Sequence, residues 1–97
     1  MFIARVTGLV VSTMKYETLT GSKLLIVEET DATGKTIGRQ RVALDTVNAG
    51  EGDVVLVAEG SAARQTEFTR DRPVDNAIVG VVDTLHKEGE VTFRKEA

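Results

Sequence analysis

The sequence predicts an all-β fold, a small antiparallel barrel that carries one short helical turn. Three observations predict it. The apolar residues fall in short β-branched runs, such as FIARVTGLVV (Phe2 to Val11) and VVLVAE (Val54 to Glu59), separated by turn residues. Glycines stand inside two of these runs, Gly8 and Gly80, where strands must bend if they are to close a barrel. No stretch has the length and 3.6-residue apolar period of an amphipathic helix.

The elements follow in order. FIARVTGLVV is the first strand, with Gly8 marking a bulge or a sharp bend. KLLIVEE (Lys23 to Glu29) is the second. DATGK (Asp31 to Lys35) is a turn in which Gly34 supplies the positive φ. QRVALD (Gln40 to Asp45) is the third strand, NAGEGD (Asn48 to Asp53) a loop, and VVLVAE the fourth strand. NAIVGVVDTL (Asn76 to Leu85) is the fifth, EGE (Glu88 to Glu90) a turn, and VTFRK (Val91 to Lys95) the last strand. The one clear loop insertion is QTEFTRDRPVDN (Gln65 to Asn76), which holds the sole proline, Pro73. Short strands with glycine kinks make this an OB-like antiparallel β-barrel.

GSAAR (Gly60 to Arg64) follows the fourth strand. Gly60 ends the strand, and Ser61 is a good N-cap because its hydroxyl can accept from a first-turn amide. Ala62 and Ala63 favour helix. One helical turn is expected here. Arg64 sits unfavourably close to the positive end of that turn, so local helix energetics do not ask for it.

Composition narrows the function classes. A chain of 97 residues suits one domain, 1–97. Its core is aliphatic, since there are three Phe, one Tyr and no Trp. A domain of this size buries a modest share of its surface, and self-association would help it. Twelve basic residues are scattered among fifteen acidic ones for a net charge of -3, which argues against a nucleic-acid footprint and lends little to membrane-surface binding. With no cysteine, disulfides, thiolate metal sites and thiol catalysis are out. There is no signal-type or membrane-spanning apolar run, and a cytoplasmic protein is expected.

No constellation points to catalysis. His86 could be a general base, but it lies in the charged stretch HKEGE and reads as a solvated turn histidine. Asp31, Asp45, Asp53, Asp71, Asp75 and Asp83 show no EF-hand or paired spacing. Asp83 differs because it closes the apolar run AIVGVV, where it could pair with a base. AGEGD has glycines like those of a phosphate cradle, but it carries two acids and leads into a strand. Phe2, Tyr16, Phe68 and Phe93 are dispersed and form no aromatic-basic platform.

The ordered set ARVTGLVVSTMKYETLTGSKLLIVEE (Ala4 to Glu29), VALDTVNAGEGDVVLVAEGSAAR (Val42 to Arg64) and VDNAIVGVVDTL (Val74 to Leu85) resembles the bacterial microcompartment vertex proteins, the EutN/CcmL family. The resemblance implies an OB-like barrel in a homopentamer that closes the vertices of a polyhedral protein shell beside hexagonal shell proteins. It implies no catalysis, cofactor or metal, no nucleic-acid or membrane partner, and a place in the microcompartment shell. It puts Gly60, Ser61, Ala62, Ala63 and Arg64 at the five-fold opening, where small residues let copies converge. Lys23, Leu25, Val27, Arg64, Ile78 and Asp83 are interface candidates. With GSAAR at the axis, Arg64 is inferred to find its partner across the subunit boundary, a carboxylate such as Asp83, a pairing that the resemblance itself does not supply. Two positions depart from the family pattern. Ala62 replaces a common Ser, which makes the opening less polar, and Asn48 replaces a common Gly, where positive φ is still accessible. The alternatives are a monomeric OB-fold module for single-stranded nucleic acid and a small hydrolase or metal-dependent enzyme built on His86 and the aspartates.

Overall fold

The computed structural model describes residues 1–13, 22–65 and 74–96. Its strands are β1 (Phe2–Val10), β2 (Leu24–Thr30), β3 (Thr36–Asp45), β4 (Val54–Glu59), β5 (Asn76–Val81), β6 (Thr84–Lys87) and β7 (Glu90–Arg94). A 3-10 helix, Gly60–Arg64, follows β4. The first five strands close into a barrel in the order β1-β2-β3-β5-β4. All neighbours are antiparallel except β3 and β5, which run parallel through Leu44↔Ala77 and Asp45↔Ile78. Closure depends on β1. Ala4 pairs with Glu29 of β2 on one side and with Val55 of β4 on the other. A closed sheet leaves no unpaired edge along its staves.

The period of two along each strand sorts side chains between interior and exterior. Phe2, Ala4 and Val6 of β1, Leu25 and Val27 of β2, and Val55 and Val57 of β4 fill the interior. The core is aliphatic, with Phe2 at one end of it. Burying each larger side chain contributes about 1.5–3 kcal/mol before chain entropy is counted. The expected bend at Gly8 is present as a register shift between Val6 and Gly8. A second shift, between Leu56 and Val57 of β4, lies opposite Gly80 and Ile78.

Several boundaries differ from the sequence reading, by one residue at β1, β2 and the last strand and by more at β3 and β5. β3 starts at Thr36, because its first residues pair with the far end of β2, from Glu28 to Thr30, beyond the barrel wall. That part is largely exposed, so it carries no apolar alternation to reveal it. The run read as one strand from Asn76 to Leu85 is two, broken at Val82 and Asp83. There the chain leaves the barrel: the Val82 amide donates to Val54 O and the Asp83 carbonyl accepts from the Lys95 amide. A β-branched run without Gly or Pro at the exit gives no local signal of it. The last strand begins one residue earlier than expected, at Glu90.

β6 and β7 form a separate two-stranded sheet. Glu88 (φ 54°) and Gly89 (φ 81°) turn it, both in the left-handed region that tight hairpins use. Two strands alone are marginal in water. This hairpin leans on the barrel through Phe93, whose ring centre lies 5.8 Å from the Arg5 guanidinium carbon. Arg5 also donates to Gly34 O from Nε (3.1 Å) and Nη2 (2.8 Å), and to Gly52 O from Nη1 (2.9 Å). One side chain thus ties two loops and the hairpin to β1. Gly34 is at φ 83°, and a Cβ there would lie 2.7 Å from Phe93 Cδ1 and 2.9 Å from Arg5 Nη2. Gly52 is at φ 92° with open space around it. Gly52→Ala should therefore cost about 1 kcal/mol of backbone strain alone. Gly34→Ala should cost at least about 1 kcal/mol more, because it also displaces Arg5 and Phe93. Urea unfolding of the two variants checks the difference, and equal losses would refute the Arg5–Phe93 tie.

Asp31 organises the β2–β3 turn. Its Oδ1 accepts from the Thr33 hydroxyl (2.6 Å), the Thr33 amide (2.8 Å) and the Lys35 amide (3.2 Å). These bonds favour the ionised form and hold the carboxyl below its ordinary value of 3.8, the Thr33 hydroxyl contributing most. A depressed folded-state value means that the turn's contribution is present above the unfolded value. It is lost as pH falls through the lowered one. Thr33→Ala should move the Asp31 midpoint up toward 3.8, read by NMR titration of its carboxyl carbon.

Candidate functional site

GSAAR leaves the barrel at the end of β4. Glu59, extended at φ -130° and ψ 162°, occupies the N-cap position and makes no side-chain cap bond. This corrects the assignment of Ser61 as the cap. Ser61 lies inside the 3-10 helix and Gly60 makes the turn into it at φ 62°. The Gly60 amide donates to Asp75 O at 2.8 Å, which pins the helix to the entry of β5. Ala63 is wholly buried and anchors the segment, whereas Gly60, Ser61 and Ala62 face outward. A Cβ on Gly60 would meet nothing within 4 Å, so the glycine serves its φ and not a lack of room within one chain.

Arg64 has partners in its own chain. Its Nη1 donates to Val74 O at 3.1 Å and lies 3.9 Å from Asp75 Oδ1. The Asp75 side chain is 92% exposed, so that ion pair is worth little and the carbonyl contact is the firmer one. Asp83, the partner expected from sequence, is exposed at the exit to β6. Sequence reasoning missed Val74 because it lies ten positions from Arg64.

The remaining interface candidates separate. Leu25, Val27 and Ile78 are 2%, 0% and 0% exposed within one chain and belong to the barrel interior. A side chain already enclosed has no surface to offer a neighbour, so these three are corrected to core residues. Their strands stay available through the alternate, outward positions. Lys23 is exposed and lies 3.5 Å from Asp45 Oδ2, a carboxylate that is almost fully enclosed. Its ammonium also donates to Ala49 O, so it fastens the β3–β4 loop. Asp45 Oδ1 accepts from the Val47 amide in the same loop.

A shallow recess of about 280 Å³ opens beside Gly60, lined by Arg39, Arg41, Glu59, Gly60, Asp75 and Asn76. Arg41 pairs with Glu59 at 3.3 Å and lies 4.3 Å over the Phe2 ring, closing that end of the barrel. Neither Arg41 nor Glu59 stood out in the sequence, because their 18-residue separation hides the contact. A second recess of about 450 Å³ lies between the hairpin and the β3–β4 loop, bordered by Arg5, Asp53 and Phe93.

The residues weighed for chemistry have structural surroundings. His86 Nε2 is 3.1 Å from the Thr84 hydroxyl on the exposed hairpin. Asp53 Oδ2 accepts from the Gly50 amide at 2.8 Å and shapes the AGEGD loop, with Asn48 at φ 58°. Among the described residues, no three of His, Cys, Asp and Glu converge as a metal site. Asp71, Tyr16 and Phe68 lie outside the described residues. No helix among the described residues is long and apolar enough to cross a membrane.

A family model described as ethanolamine utilisation protein EutN/carboxysome matches residues 1–83. This chain belongs to the EutN/CcmL family. The match ends where the barrel hands over to the hairpin. A carboxysome shell vertex protein, CcmL of Synechocystis sp., is 49% identical over 98% of this chain and 95% of its own. The solved structure of CcmL from Nostoc sp. superposes with a TM-score of 0.91 at 44% identity, covering 98% of this chain and 100% of that one. GrpN, a pentameric microcompartment shell protein of Rhodospirillum rubrum, superposes at 0.80 with 42% identity, over 90% of this chain and 99% of that one.

Proposed function

We propose that this chain is a structural subunit of a bacterial microcompartment shell, in which five copies form a ring that caps a vertex. One observation carries the reading: the closed barrel, 3-10 helix included, matches solved vertex proteins over nearly its whole length at more than 40% identity. Hexagonal tiles pack flat, and a pentagonal tile supplies the curvature that closes a polyhedron. The chemistry needed is therefore geometric. Each subunit presents small groups toward the axis and complementary flanks toward its neighbours.

GSAAR suits the axis. Gly60, Ser61 and Ala62 are exposed and small, so five copies converge without clashing. Buried Ala63 and the Arg64–Val74 bond hold the segment against the barrel, so the opening has a defined shape. The role is structural and not catalytic. The lone exposed His86 and the loop-building aspartates support this, each already engaged in a local hydrogen bond or lying at a turn. The partners are four further copies of the chain and the hexagonal shell proteins around the vertex.

Native mass spectrometry should give five times the 10.5 kDa chain mass. A stable monomer at micromolar concentration would overturn the reading. Arg64→Ala should raise the concentration at which the ring half-dissociates by about ten-fold, matching the loss of one charge-assisted hydrogen bond. Because the Arg64–Val74 bond lies within one chain, the thermal midpoint of the isolated barrel should fall by a few degrees as well. If ring stability is unaltered, Arg64 has no part in ordering the axial segment.

A further inference from the structure

We infer that the ring is held by two different outward faces of the barrel. The face around Ile26 and Val42 of one subunit seats against the face around Ile3 and Leu56 of the next. The inference rests on the proposed ring and names its contact surfaces.

The observation is a departure from the alternation a filled barrel should show. Inward positions are apolar because they make the core, and outward positions of a solvated sheet are polar. Here several outward positions are apolar as well. On β2, Leu25 and Val27 point in and Ile26 points out. On β3, Ala43 points in, and Val42 beside it is 49% exposed. On β4, Val55 and Val57 point in and Leu56 points out, and on β1 Ile3 lies outward between inward Phe2 and Ala4.

Strand register gathers these residues into two rows. Gly8, Ile26 and Val42 are paired across β1, β2 and β3. Ile3, Leu56 and Gly80 are paired across β1, β4 and β5. Each row contains a glycine, and the large neighbour leans over it. Ile26 Cδ1 lies 3.1 Å from where a Gly8 Cβ would stand, and Leu56 Cδ1 lies 3.7 Å from the Gly80 position. Ile26 and Leu56 thus lie over the wall beside Gly8 and Gly80, which leaves two low apolar surfaces suited to close packing of wall on wall.

The arrangement of the rows selects the occupant. They are centred on β2 and β4, with β1 between them on the short way round the barrel. A closed ring is heterologous, so each subunit needs two unlike patches aimed in different directions. A single self-complementary patch would give a dimer. A second copy of this chain fits two separated faces, and the pentameric relative shares this barrel.

The chain has no cysteine, so introduced pairs report without background. Val42→Cys is combined in turn with Ile3→Cys and with Leu56→Cys. In each pair one strand of the barrel order separates the two sites on the short way, too far for a bond within one chain. On oxidation, at least one double variant should give a covalent ladder ending at five chains, and each single variant should stay monomeric on a denaturing gel. A covalent dimer from a single variant overturns the inference, because like would then meet like. So does a missing ladder from both double variants while native mass shows an intact ring. As a second measurement, Ile26→Lys and Leu56→Lys should each dissociate the ring with the barrel's circular dichroism unchanged. Survival of the ring in either variant also overturns it. A wild-type chain that forms no ring in the same native mass experiment overturns the proposed function itself, which distinguishes the two failures.

Discussion

The double pairing of β1 is the constraint on which the rest depends. Phe2 to Arg5 pair with β4 and Ala4 to Val10 pair with β2, so that Ala4 and Arg5 join both, and only this overlap turns five short strands into a closed wall. Closure encloses an aliphatic core that open sheets of this size could not cover. It also places Arg5 outside the wall, within reach of two loop carbonyls and the Phe93 ring. The hairpin, too small to be stable by itself, gains its position from that one strand.

The same closure sets the geometry of GSAAR. β4 and β5 lie side by side, so the end of one and the start of the other hold the 3-10 helix between them. Ala63 is inserted as a plug, and the Gly60 amide and the Arg64 guanidinium grip the chain just before β5. Gly60, Ser61 and Ala62 are left outermost and small. In the proposed ring, a segment without catalytic groups would serve as a small surface repeated around the axis. What it contributes is the absence of bulk, held rigidly in place.

Much of the fold was legible in the chain. β-branched runs marked the strands, and Gly8, Gly34 and Gly80 marked bends and turns that the structure contains. The segment GSAAR was legible as one helical turn, and its importance came from the ordered family motifs. The partner of Arg64 was not legible, since Val74 stands ten positions away in the chain. Nor was the direction of each side chain. In β2 and β5 both alternate sets are apolar, so a period of two cannot say which set fills the barrel. The strands are interface candidates by sequence, and only the structure shows that their residues Leu25, Val27 and Ile78 are core.

By itself, then, the sequence determined the strand content, the turn positions, the aliphatic core, the family and the absence of a cysteine chemistry. These are properties of residue type and local spacing, which act over a few positions. Only the tertiary structure decided where the fifth strand ends, which cation meets which carbonyl, and which apolar residues remain on the outer wall. Those outcomes depend on register and closure. Both are set by strands far apart in the chain, when β1 pairs with β2 and β4 at once.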